Sequence, residues 1–265
     1  MNSNIIHLMR VCALTVCLSA VTQVEASDPH WDYQEQADWA YLQDGSSTKP
    51  APLNYPYATC GIGKSQAPVA LTGNPPTRRL NRIKLNYGAG YPIFYNNGHV
   101  AQVNSSDSYP GTVSVGNDVY PLIQFHMHSP SEHTVNGRAY EAEIHFVNIR
   151  DDGKAVVLTS LVTTGKYNAE FQKVLENMPT TANTKNQTGW VNLNPALLLP
   201  KNLSLFYTYA GSLTTPPCGE GINFYIFAQP ITISGEQLTA LKNIYNNNNR
   251  AVQPLNGRVV TTTMR

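Results

Sequence analysis

The chain of 265 residues carries 18 Lys and Arg against 17 Asp and Glu, so its formal net charge is only +1. That balance leaves no basic stripe for nucleic acid. No heptads or internal repeats appear, and no apolar run reaches the length of a bilayer-spanning helix, which excludes coiled coils, repeat arrays and an α-helical membrane span.

In chain order, His7 and Arg10 precede an apolar stretch at 11–21, and Val24-Glu25-Ala26 then offers small residues where a signal peptidase reads. The pattern predicts a signal peptide over 1–26, cleaved after Ala26, and one exported domain over 27–265, periplasmic or secreted. Cys12 and Cys17 leave with that segment; bulky Val16 before Cys17 makes a lipoprotein signal weak. Cys60 and Cys218 remain, which suggests one disulfide, with a pair of buried free thiols as the alternative. Short β-rich runs follow at 82–87, 92–95, 112–115, 119–128, 138–150, 155–164, 203–210 and 222–233. Asn136-Gly137 and Asp151-Asp152-Gly153 are hairpin signals between them. Two stretches read as helices: 168–178, which opens on an Asn cap and aligns Phe171, Val174, Leu175 and Met178, and 234–245, which opens with the capping box Ser-Gly-Glu-Gln. These elements predict a mainly β domain with peripheral helices.

The chemistry concentrates in two of the strand patterns. In Gln124-Phe125-His126-Met127-His128 and Glu141-Ala142-Glu143-Ile144-His145-Phe146-Val147 polar and apolar residues alternate. Residues two apart on a strand share a face. His126, His128 and Gln124 therefore lie together, as do His145, Glu143 and Glu141. Two such strands side by side bring three imidazoles to one point, leaving the fourth corner of a zinc tetrahedron open, the arrangement of a catalytic site. For a single histidine the reading as a satisfied core or surface group would prevail; the pattern H-x-H with a third histidine beside a carboxylate favours a metal.

With these runs in view, the chain resembles the α-class carbonic anhydrases, zinc enzymes that interconvert carbon dioxide and bicarbonate. The resemblance extends over His30-Trp31, Gly63-Lys64-Ser65-Gln66, Asn96-Asn97-Gly98-His99, Ser131-Glu132-His133-Thr134-Val135, 209–218 and 250–256. It implies one domain around a large, mostly antiparallel sheet, with Zn2+ at the bottom of a cone-shaped cleft and the C-terminal segment threaded through a loop. It further implies His126, His128 and His145 as ligands, with Gln124, Glu143 and the backbone near Asn248 orienting their rings. Thr214 and Glu132 resemble a gatekeeping pair, and the Thr214 amide and Thr215 a substrate and inhibitor site. Val147, Val157, Leu213 and Ile222 fall at positions of the apolar wall that receives carbon dioxide. His99 resembles the proton shuttle, with Tyr33 and Asn97 ordering its water chain and Gln102 on the cleft wall. Cys60 and Cys218 fall where exported members form their disulfide.

Smaller readings follow from the same comparison. His133 is expected in a buried structural hydrogen bond, and His30 and Glu141 at the surface. Phe224 stands where a larger indole is common, Ala67 where a serine is, and Ser129-Pro130-Ser131 is short as in bacterial and plant members. Sulfonamides and anions are expected inhibitors, and a homodimer is compatible with the resemblance. Two other functions are alternatives: a zinc esterase and a non-catalytic binding protein on the same fold. Non-catalytic relatives lack zinc histidines, and none is missing here.

Overall fold

A computed structural model describes residues 28–43, 54–72 and 75–263. The expected signal segment 1–26 lies outside the described residues. One large sheet dominates, and its central strands, in spatial order, are Ile93–Asn96, Ala101–Asn104, Asp118–His128, Ala142–Ile149, Ala155–Thr164, Glu220–Ile233 and Phe206–Ser212. Neighbours are antiparallel except that Ala155–Thr164 runs parallel to Glu220–Ile233. The C-terminal strand Thr261–Thr263 is inserted between Phe206–Ser212 and Thr77–Arg78.

Alternation along these strands divides the interior into two cores. Phe125, Met127, Ile144, Phe146, Leu158 and Phe227 point to one face, where helices Ala169–Asn177 and Gly235–Ile244 add Phe171, Val174 and Leu241. The opposite face collects Val147, Val157, Leu161, Ile222, Phe224 and Ile226, beside the histidines. Helices thus cover one side and leave the other for a cleft. Both helices start as the sequence predicts. The Asn168 side chain accepts from the Glu170 and Phe171 amides at 3.0 Å, and Ser234 and Gln237 form a reciprocal capping box.

Two expected strand runs are corrected. The run 138–150 is not one strand: Arg138–Ala139 pairs with Thr134–Val135 in a separate small sheet, and only Ala142–Ile149 joins the large one. The hairpin at Asn136-Gly137, with φ of 51° and 78°, turns the chain back before it reaches the large sheet. The run expected at 203–210 instead forms Phe206–Ser212, and strands Ala101–Asn104, Thr184–Gln187 and Thr261–Thr263 were not anticipated.

Cys60 and Cys218 are joined in a disulfide that closes a separation of 158 residues. It lies in a small cluster with Tyr33, Trp39 and Tyr57. Reduction should remove about 2–5 kcal/mol of stability, because so long a loop is released in the unfolded chain. Thermal melts with and without reductant check this; equal melting temperatures would deny the bridge a stabilising role.

Candidate metal centre

Antiparallel register builds the centre. His145 pairs directly with His126, and Glu143 with His128, so all four side chains share the cleft face. Ring centroids of the three histidines lie 4.8–5.2 Å apart. Each ring is held by an oxygen on its outer side. His126 Nδ1 meets Gln124 Oε1 at 2.8 Å, His128 Nδ1 meets the Asn248 carbonyl at 2.7 Å, and His145 Nε2 meets Glu143 Oε1 at 2.6 Å. An oxygen acceptor fixes the ring proton on that nitrogen. His126 Nε2, His128 Nε2 and His145 Nδ1 are thereby left as lone-pair donors.

The donor set suits zinc. One ligand atom from each of the three histidines falls within 4.8 Å of the others. His128 Nε2 is buried without a hydrogen-bond partner, a cost that coordination would offset. Burial, with the neighbouring His128 and His145, holds the His126 pKa well below its ordinary value, so this ring is neutral as a metal ligand must be. Burial likewise lowers His128. At His145 burial alone would act the same way, but the hydrogen bond and charge of Glu143 outweigh it and raise the pKa.

Glu143 anchors a second layer. Besides His145 it accepts from the His133 amide at 2.9 Å and pairs with His133 Nδ1 at 2.6 Å. His133 Nε2 in turn meets the Tyr209 hydroxyl at 2.6 Å. Burial opposes ionisation of Glu143, yet His133 and His145 together hold its carboxyl well below the usual range. The expected buried role of His133 is present, and Tyr209 is a member that the sequence reading missed.

A cleft of about 120 Å³ opens above the histidines. Val147, Val157, Leu213, Ile222 and Phe224 form an apolar side; Asn97, Gln102 and Gln124 form a polar one; Thr214, Thr215 and His99 complete it. Phe224 stacks on Tyr209 with centroids 5.3 Å apart and stands edge-on to His145. Asn97 Nδ2 donates to Gln102 Oε1 at 3.1 Å. Tyr33 is buried beneath, edge-on to His128, its hydroxyl without a partner among the described residues.

Thr214 and Glu132 are not hydrogen-bonded to each other among the described residues, contrary to the pair the resemblance suggests. Glu132 Oε1 accepts from the Arg250 amide at 2.8 Å. Its Oε2 has no hydrogen-bond partner and lies 3.5 Å from His128 Nε2 and 3.8 Å from His145 Nδ1. Both free nitrogens therefore face the same space. Arg250 was quoted only within a motif; its buried guanidinium, pulled down to about 10 by burial, donates to Gln66 Oε1 and to the Ala67 and Cys60 carbonyls.

His99 stands at the cleft mouth, stacked on Trp31 with centroids 3.7 Å apart, and 6.1 Å from exposed His30. Partial burial and the neighbouring His30 lower its pKa. Trp31 is a second contact that spacing along the chain could not reveal.

Residues 49–264 match the family model of eukaryotic-type carbonic anhydrase. A carbonic anhydrase of Neisseria gonorrhoeae is 37% identical over 230 residues, covering 84% of this chain and 86% of that one. One from Klebsiella pneumoniae is 35% identical over 224 residues, covering 84% and 89%. The α-carbonic anhydrase of Thermovibrio ammonificans, solved with the inhibitor sulfanilamide, superposes with a TM-score of 0.78 at 36% identity, covering 89% of this chain and all of that one. No helix among the described residues is long and apolar enough to cross a membrane. Strand order, the histidine triad and these relatives agree: the chain belongs to the eukaryotic-type, α-class family of carbonic anhydrase enzymes.

Proposed function

We propose that this enzyme hydrates carbon dioxide reversibly to bicarbonate and a proton, with Zn2+ held by His126, His128 and His145. The carrying observation is the convergence of three imidazoles whose outer nitrogens are already bonded to oxygens, at the base of a cleft with one dry wall. A bound zinc ion supplies the nucleophile by lowering the pKa of a coordinated water to about 7, a value established for carbonic anhydrases. Gln124, Glu143 and the Asn248 carbonyl orient the ligand rings. Val147, Val157, Leu213 and Ile222 offer carbon dioxide, which has no net dipole, an apolar surface beside the metal. Thr214 orients the nucleophile, and Glu132, which is not bonded to Thr214 among the described residues, stands beside the ligand rings as a buried acceptor with Oε2 unpartnered.

His99 accepts the released proton and passes it to buffer, with Tyr33 and Asn97 ordering the path. A lowered pKa leaves the ring neutral at neutral pH, ready to accept. The disulfide and the charged, apolar and small-residue pattern of 1–26 support export after cleavage. A sulfonamide is the expected inhibitor, as it is for the Thermovibrio ammonificans relative.

Thr214→Ala should lower catalytic efficiency on the order of 100-fold, the cost of one preorganised hydrogen-bonding group at a reacting centre, with zinc still bound. Carbon dioxide hydration and zinc content are measured on the same samples. Loss of metal in step with activity would show that Thr214 supports the fold of the site and not the orientation of its nucleophile.

A further inference from the structure

Asn247 adopts a φ of 58°, in the left-handed region that asparagine tolerates better than most residues. Its amide donates to the Ser129 carbonyl at 2.7 Å. That turn aims Asn248, 3% exposed, at the end of the strand bearing His126 and His128. The backbone and side chain of Asn248 then do different things. Its carbonyl accepts from His128 Nδ1. Its side-chain oxygen accepts from the Ser129 amide at 2.8 Å, and its Nδ2 donates to the Met127 carbonyl at 3.1 Å and to the His99 carbonyl at 3.3 Å. Both hydrogens of the amide are thus used, one on the ligand strand and one on the histidine at the cleft mouth. Apart from the ring's stack on Trp31, His99 is held inside its own turn, its amide donating to Asn97 Oδ1 at 2.9 Å. The carbonyl bond to Asn248 ties that turn to the metal strand.

We propose that the Asn248 side chain is a positioning residue that fixes the backbone of His99 to the strand carrying His126 and His128, setting the relay ring at a constant distance from the metal centre. This rests on the reading of His99 as the proton acceptor. Truncation keeps the carbonyl that serves His128 and removes the side-chain bonds to His99, Ser129 and Met127. Reordering a loop by even a fraction of an ångström slows transfer between fixed groups; an ångström can cost roughly 100-fold.

The test uses the zinc-loaded full chain and the variants Asn248→Ala, His99→Ala and both together. Asn248→Ala should lower saturated turnover in weak buffer several-fold more than it lowers efficiency at low substrate, and added imidazole should restore the difference. In the His99→Ala background that extra loss should vanish, because the tether then has no ring to place. Efficiency falling in step with turnover, or the same extra loss in both backgrounds, would overturn the proposal. If His99→Ala alone changes nothing, the relay reading fails first, and amide hydrogen exchange over 97–100 then decides the tether: faster in Asn248→Ala supports it, unchanged refutes it. Should Asn248→Ala not fold, Asn248→Ser, neutral and one atom shorter than the amide that reaches His99 and Met127, replaces it, and the same outcomes apply.

Discussion

His145→Ala should yield a folded chain that neither retains zinc nor hydrates carbon dioxide measurably. The argument runs from ligand count. In the proposed site three imidazoles are the donors, so removing one leaves two, and the remaining pair, His126 and His128, sit on one strand and cannot close around an ion from two sides. Loss of an outer hydrogen bond to a ligand costs about 10–100-fold in metal affinity or activity; loss of the ligand itself should exceed that range. The variant also removes a buried ring that Glu143 holds at 2.6 Å, yet Glu143 keeps His133 as a partner, which is why folding should survive. Zinc content by atomic emission and hydration by stopped flow are the readouts. A His145→Ala enzyme with a full zinc complement would remove His145 from the ligand set. The same expectation holds for His126→Ala and His128→Ala.

Glu143→Ala should be the most destabilising single change at the centre. The carboxylate is fully buried and serves the His133 amide, the His133 ring and the His145 ring at once. Its removal leaves those donors unpaired where water cannot replace it, and each buried unsatisfied donor costs about 1–3 kcal/mol. The sign with pH follows from the depressed carboxyl pKa. Ionised Glu143 favours the folded state above its unfolded pKa, and that contribution is lost as pH falls through the folded value. The wild type should therefore lose stability on acidification more steeply than the variant. Denaturant melts at pH 7 and in acid, with zinc affinity measured in parallel, test both parts. A variant as stable as the wild type and binding zinc equally well would show that the His133–Glu143–His145 network carries no energetic weight.

The cluster of three histidines was legible in the sequence because its logic is local. Period-two alternation put His126, His128 and Gln124 on one face and His145 with Glu143 on another, and the strand register then brought the two together. The helices were legible through their caps, Asn168 and Ser234, which act within one turn. What escaped depends on contacts distant in the chain. Thr184–Gln187 is polar and short, a strand only because Ile93–Asn96 offers it an edge. Asn248 gained its importance from groups 119–149 residues away, and the stack of His99 on Trp31 joins two loops. Thr214 and Glu132 are the instructive case. Motif likeness implied a hydrogen bond, while the geometry gives Glu132 the Arg250 amide on one oxygen and nothing on the other.

Zinc titration of the metal-stripped, purified chain, followed by carbon dioxide hydration at each addition, tests the account most directly. Activity should be negligible at the start, rise in proportion to zinc, and level off at one equivalent per chain, with sulfanilamide abolishing the gain. Hydration without zinc, or one tightly bound zinc that brings no hydration, would contradict it.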